Sequence, residues 1–344
     1  MRPKLPSIQT VARHAGVSIA TVSNVLGGRR AVAPELAARV RAAVEELGYI
    51  ADGAASRLRS RQSRIVGVVV PTLANPFFGS LVAALEVAAR ADGYDLLVAS
   101  SADDPVQEAA RLRALLAWRP AGLIITPCDD EFAARALAVS AGVPVVVADR
   151  VPEAPGFDVV AVDNAAAAAT IGRHLVEAGR RRILLVASAF SIGNVRERAA
   201  ALRREVAGTG VELEVTEVGH DLAEARAALD QRLRCAPLPD AVFALTNILT
   251  LAAFGAITAR GLAIPQALAL VGFDDDAWMQ AVTPAVSAVD QPVGALAAAA
   301  WARLVARMAG DATPPLEVRL PCRVEFRASS RAEAAPAGPG LCAA

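Results

Sequence analysis

From Arg64 onward, short apolar runs alternate with helical stretches, a rhythm that argues for parallel β-sheets with helices on both faces. The runs are Ile65 to Val70, Asp95 to Ala99, Gly122 to Thr126, Pro144 to Ala148, Ile183 to Val186, Ala241 to Ala244 and Ala269 to Phe273. Two such sets within about 265 residues predict two α/β lobes, each a doubly wound parallel sheet. Such folds bind ligands beyond the carboxyl ends of their strands, so the residues after each run are where chemistry is to be sought. Those positions hold Pro71 to Phe78, Ser100 to Asp104, Thr126-Pro127, Asp149-Arg150, Asn247 and Asp274-Asp275-Asp276. Aromatic rings beside carboxylates and an arginine suit a polar ring ligand such as a sugar, whose hydroxyls need donors and acceptors and whose C–H faces stack on rings. Each also has an ordinary structural reading: Asp149-Arg150 as a surface ion pair, Phe77 or Phe78 as core, one Asp of the triplet as a helix cap.

Ahead of these lobes the chain changes character. In residues 7 to 28, Ile8, Val11, Ala12 and Ala15 recur at helical spacing, Gly16 tolerates a left-handed backbone, and Ser18 can accept from the free N–H groups of a second helix. Val22, Val25 and Leu26 then face back toward the first helix. Ile19, Ala20, Thr21, Ser23 and Asn24 are left on the outer face, with Asn24 the best candidate for a base-edge hydrogen bond in the major groove. This is a helix-turn-helix pattern, although a Gly-joined helix pair also occurs in ordinary helical cores. A third amphipathic stretch opens at Ala33-Pro34-Glu35, carries Val40, Ala43, Val44 and Leu47 on one face, and ends at Gly48. Charge follows the same division. Residues 1 to 64 carry eleven Lys/Arg against four Asp/Glu, and the remainder carries the opposite excess, so the whole is neutral. The basic end is the one suited to phosphate contacts.

The motifs Val11-Ala12, Ala15-Gly16-Val17-Ser18, Thr21-Val22-Ser23 and Glu46-Leu47-Gly48-Tyr49 together resemble the N-terminal domain of LacI-family transcription regulators. The resemblance continues, in order and spacing, through Asn75-Pro76-Phe77-Phe78, Asp149-Arg150, Val162-Asp163-Asn164, Glu197-Arg198, Gly272-Phe273-Asp274-Asp275 and Gln291-Pro292, so it covers roughly residues 7 to 330. It implies an all-α helix-turn-helix domain over residues 1–49 and a hinge over 50–63. It further implies a two-lobed, periplasmic-binding-protein-like effector and dimerisation domain over 64–330, with lobe 1 about 64–162 and 292–321 and lobe 2 about 163–290 and 322–330. In the family the hinge folds on operator DNA and drives a leucine into the minor groove; Leu58 matches that leucine and Ala55 lies on the same segment. By the same implication Phe77 and Phe78 line the cleft from the first lobe, Arg150 and Arg198 donate to ligand oxygens, and Asp149 is a further ligand-binding residue. Asn247 and Asp274 close the cleft from the second lobe, and Gln291 sits where the chain crosses between lobes. The departures are Thr10 for the usual Asp, Asn24 for Arg or His, Ala165 for Gly, Ala201-Leu202 for a Gly-aromatic pair, and Ile248 for a common Asp. Ile248 removes a hydroxyl acceptor and alters effector discrimination.

The expected protein is thus a DNA-binding repressor, a homodimer on a palindromic operator, answering to a sugar or sugar derivative; a purine effector is the alternative within the family. A solute-binding protein would share the core but needs an export signal, and the polar N-terminus offers none. An enzyme is the third class, yet there is no Gly-rich phosphate loop and no Gly-x-Ser-x-Gly elbow, so neither catalytic residues nor a cofactor is expected. Cys128, Cys235, Cys322 and Cys342 are scattered, and with only His14, His174 and His220 no metal site is expected. His220 reads more readily as a surface residue than as part of the cleft. No apolar run reaches the ~18 residues of a membrane helix, which suits a cytoplasmic protein. With 54% hydrophobic residues but three Trp and two Tyr, aliphatic side chains must fill the core. Residues 331–344 are Pro/Gly/Ala-rich and read as a disordered tail without heptads.

Overall fold

A computed structural model describes residues 6–27, 30–49, 63–132, 135–152 and 156–331. The chain divides into two compact units between Ser63 and Arg64. Ala55 and Leu58 lie outside the described residues, as do residues 332–344 of the expected tail, Cys342 among them.

The first unit is three helices: α1 (Ile8–Ala15), α2 (Ile19–Gly27) and α3 (Pro34–Leu47). Ser7 opens α1 through a reciprocal capping box. Its Oγ accepts from the Thr10 N–H at 3.2 Å, and Thr10 Oγ1 accepts from the Ser7 N–H at 3.4 Å. Thr10 therefore serves the local cap, where the family has Asp. Gly16 ends α1 with φ +62°, which frees the carbonyls above it for Arg39: its Nη2 donates to Ala15 O at 2.6 Å. Val11, Ala12, Ala15, Val22, Val40 and Ala43 form the buried centre, with Val25, Val44 and Leu47 packed against it. Leu26 departs from the expected inward face and is 39% exposed. One residue beyond Val25 is about 100° further round the helix, and α3 already covers the sector of Val22 and Val25.

The second unit holds two six-stranded sheets. The first runs β11-β5-β4-β3-β1-β2, built from β1 (Ile65–Val70), β2 (Asp95–Ser100), β3 (Gly122–Ile125), β4 (Val145–Ala148), β5 (Asp158–Val162) and β11 (Glu317–Leu320). The second runs β12-β10-β9-β8-β6-β7, from β6 (Arg182–Ala187), β7 (Glu212–Glu217), β8 (Ala241–Ala244), β9 (Ala269–Phe273), β10 (Ser287–Asp290) and β12 (Arg323–Glu325). All pairs are parallel except β12, which runs antiparallel to β10. Central strands such as β1, β3 and β4 are buried on both faces, as continuous apolar runs require.

The helices that cover these sheets are, in chain order, α4 (Pro76–Ala91), α5 (Pro105–Leu116), α6 (Arg135–Ser140), α7 (Asn164–Glu177), α8 (Gly193–Val206), α9 (Leu222–Arg232), α10 (Asn247–Ala259), α11 (Ala277–Ala281) and α12 (Val293–Met308). The chain passes between sheets three times: after β5, after β10 at Gln291-Pro292, and between β11 and β12. Buried Asp158 ties the second passage down. It accepts from Arg307 Nε at 2.7 Å, Arg303 Nη2 at 3.0 Å and the Leu316 N–H at 2.8 Å, joining α12 to β5 and to the approach to β11. Burial alone would raise its pKa, but the hydrogen bonds from Arg307, Leu316 and Arg303 outweigh burial and hold it below the ordinary value.

Candidate functional site

In the first unit, Ser18 Oγ accepts from the Thr21 N–H at 3.1 Å and lies 2.9 Å from Thr21 Oγ1, so the N-terminal turn of α2 is fixed by its own side chains. Ser18, Ile19 and Ala20 are exposed, Ile19 by 45%, while Thr21, Ser23 and Asn24 are half-buried on the same helix. Residues 18–27 carry no charged side chain. An α2 docked in a groove would thus read base edges with neutral groups and leave phosphates to flanking basic residues.

In the second unit a cavity of about 460 Å³ opens between the sheets. Its walls come from the loops after β1, β2, β4, β6, β7, β8, β9 and β10, the carboxyl-end geometry of open parallel sheets. Phe77 and Phe78 stand edge to face, 5.1 Å apart, at the start of α4, whose N-cap Asn75 accepts from the Phe77 N–H at 3.0 Å. Both rings are buried and also line the cavity, so core and wall are one surface here.

Asp149 and Arg150 are both buried and are not each other's partner in a hydrogen bond. Arg150 Nη1 donates to Asp103 Oδ1 at 2.9 Å and to the carbonyls of Pro127 and Cys128 at 3.0 and 2.7 Å. Thr126-Pro127 thus supports the arginine and does not itself line the cavity. Asp149 takes one 3.5 Å bond from Asn194 Nδ2, and its Oδ1 has no hydrogen-bond partner among the described residues. Burial pushes its pKa up to about 6, against the pull of Arg198 and Arg150. Asp149 and Asp274 both adopt left-handed backbone, φ +67° and +65°, which Asp tolerates better than most residues and which turns their carboxylates off the strand ends.

Arg198, on α8, is fully buried. Its Nε donates to Asn164 Oδ1 at 2.8 Å and its Nη1 to Leu245 O at 2.6 Å, and its guanidinium carbon lies 3.4 Å from the centre of the Phe273 ring. Desolvation lowers its pKa while Asp274 and Asp149 oppose that shift. Asp274 accepts from Gln291 Nε2 and, at 3.4 Å, from the Asn247 N–H; Asp276 caps α11, while Asp275 pairs with Arg327.

Of the eight cleft residues expected from sequence, Phe77, Phe78, Asp149, Arg150, Arg198, Asp274 and Gln291 line this cavity. Asn247 does not. As the first residue of α10 it faces a neighbouring cavity of about 300 Å³, shared with Asp274 and Gln291, and Thr246 and Ile248 take the wall positions on either side of it. His220, expected at the surface, is exposed but does line the cleft. Asp103 falls in the stretch Ser100 to Asp104 named from sequence, whereas Ser188 and Asn194 are not visible there, because an isolated Ser or Asn after a strand reads equally as a turn. Ile248 lines the cavity, so that departure lies on its wall. Ala201 and Leu202, by contrast, are buried in the core of the second lobe, so that departure is a packing change away from the cavity.

A second contact joins the lobes beside the cleft. Buried Asp130, after β3, accepts from the Gly193 N–H at 2.6 Å and pairs with Arg196, both at the start of α8. A Cβ on Gly193 would fall 2.8 Å from Asp130 Oδ1 and 3.2 Å from Val151 O, so glycine is what permits this approach.

Residues 63–307 match the family described as periplasmic binding proteins and sugar binding domain of LacI family, and residues 7–52 match bacterial regulatory proteins, lacI family. The HTH-type transcriptional regulator PtxS of Pseudomonas plecoglossicida is 32% identical over 94% of this chain and 95% of its own length. Among solved structures, the lac repressor dimer bound to operator and the anti-inducer ONPF is 26% identical, with a TM-score of 0.83 over 95% of this chain and 100% of that one. A complex of the transcriptional regulator CelR with cellobiose is 26% identical, with a TM-score of 0.71 over 94% of this chain and 99% of that one.

Proposed function

The chain belongs to the LacI family of bacterial regulatory proteins, and on that premise we propose that it is an effector-controlled repressor, a homodimer that binds a palindromic operator through α2. A small carbohydrate in the interlobe cavity is the effector. The observation that carries this reading is the cavity itself: aromatic rings and buried carboxylates meet there with polar atoms that have no partner among the described residues. The carbohydrate ligand named in the CelR complex supports it. The cavity acts by binding and not by catalysis, and the protein works in the cytoplasm, where its operator is.

Coupling runs through two global states of the second unit, with the effector favouring one of them. Selection of a duplex from random-sequence DNA, followed by operator titrations at increasing salt with and without a panel of sugars, tests the reading. It predicts a palindromic site, a steep loss of affinity with salt, and a sugar that changes the operator affinity. Failure to bind any duplex at low salt overturns it.

A further inference from the structure

Hydrogen-bonding capacity in the cleft is unevenly supplied. Four buried atoms on its wall have no partner among the described residues: Asp149 Oδ1, Asn194 Oδ1, Gln291 Oε1 and Ser188 Oγ. Two of them are unpartnered because carboxylates have oriented the amides. Asn194 spends its Nδ2 on Asp149 and Gln291 spends its Nε2 on Asp274, which leaves each amide oxygen unpaired. An ionised carboxylate and an amide oxygen only accept, and among the four only the Ser188 hydroxyl can also donate. The cations are partly engaged: Arg150 Nη1 holds Asp103 and two carbonyls, and Arg198 spends Nε and Nη1 on Asn164 and Leu245, so that these bonds leave the Nη2 of each guanidinium unspent. Asp103, Asp149 and Asp274 outnumber these two arginines on the wall.

We infer that the cleft selects an uncharged or amino-substituted polyol, a ligand that brings several O–H or N–H donors, and rejects the matching sugar acids and sugar phosphates, with Asp149 setting the preference. This rests on the carbohydrate reading above and narrows it. Each unmatched buried acceptor weakens binding, and an anionic oxygen placed against Asp149 would meet like charge in a poorly screened site.

The test is calorimetry and thermal shift on the full chain at neutral pH with matched sets: glucose, glucosamine, gluconate and a glucose phosphate, with parallel galactose and ribose sets and with adenine and hypoxanthine outside the class. A neutral or amino sugar raises the melting temperature and binds about tenfold or more tightly than its acid and phosphate counterparts. Asp149→Asn keeps the side-chain shape, tolerates the left-handed backbone and brings that ratio toward one. Asn194→Asp, which adds a carboxylate beside Asp149, raises it. An acid or phosphate that binds as tightly as its parent sugar overturns the inference and leaves the carbohydrate reading standing. A response to purines alone, or to nothing in the panel, removes the carbohydrate reading and the inference with it. Ratios unchanged in both variants remove Asp149 from the role.

Discussion

At the scale of single residues, the buried acids make opposite predictions. Asp149 is surrounded by Arg150 on its own loop, by Asn194 and Arg198 on α8, and by Asp274 after β9, and burial dominates. Its pKa is raised, so it favours the folded state most at low pH, and that contribution is lost as pH rises through about 6. A ligand that donates to Asp149 is held more strongly by the ionised form, which only accepts and whose hydrogen bonds are charge-assisted. Sugar affinity therefore falls as pH drops through about 6, which calorimetry at matched ionic strength reads directly; an affinity flat across that window contradicts the assignment. Asp158 is the reverse case. Its pKa is lowered, so its stabilisation is present above the ordinary carboxylate value and is lost as pH falls through the depressed one. Asp158→Ala removes the carboxylate that Arg303 and Arg307 share, leaving them only Asp311 and the carbonyls of the following loop, and is expected to cost about 3 kcal/mol in urea unfolding of the second unit. A loss near zero would mean that α12 is held by packing alone.

At the scale of elements, the contact between Asp130 and the start of α8 holds the lobes at their present separation without lining the cavity. Gly193→Ala forces them apart and weakens sugar binding by roughly fivefold or more, while Asp130→Asn, which keeps an acceptor for the Gly193 N–H, has the smaller effect. Titration of both variants checks the order, and equal or absent effects contradict it. Burial decides only part of how far the elements could be read from sequence: β5, Asp158–Val162, is fully buried yet is not among the runs read as strands. The apolar runs of β1, β3, β4, β6, β8 and β9 announce strands because both faces are covered, whereas β2 is an edge strand with Val98 exposed and is legible from its apolar run alone. Edge strand β7, Glu212–Glu217, exposes its Glu side chains and reads as a charged stretch, and the three residues of β12 hold both Arg323 and Glu325. The cleft was legible where a loop carries an unusual set, as in Phe77-Phe78 or Asp149-Arg150. It was not legible at Ser188 and Asn194, whose meaning comes from the partners the fold withholds from them. Asn247 faced the neighbouring cavity because one helical step separates it from Ile248, a shift that spacing alone does not resolve.

At the scale of the whole molecule, one chain joins two units of opposite charge surplus, one for DNA and one for a small ligand. Leu58, outside the described residues, is proposed as the minor-groove wedge of the hinge. Leu58→Ala is expected to weaken specific operator binding far more than non-specific binding, and equal losses on both would refute the wedge. The central claim is that occupancy of the cleft sets the affinity of the N-terminal helices for DNA. The most direct measurement is fluorescence anisotropy of the selected operator with and without saturating sugar. The account predicts a change in operator affinity of about fivefold or more, abolished by Asp149→Asn at the same sugar concentration. An operator affinity that stays the same while calorimetry shows the cleft filled would contradict it.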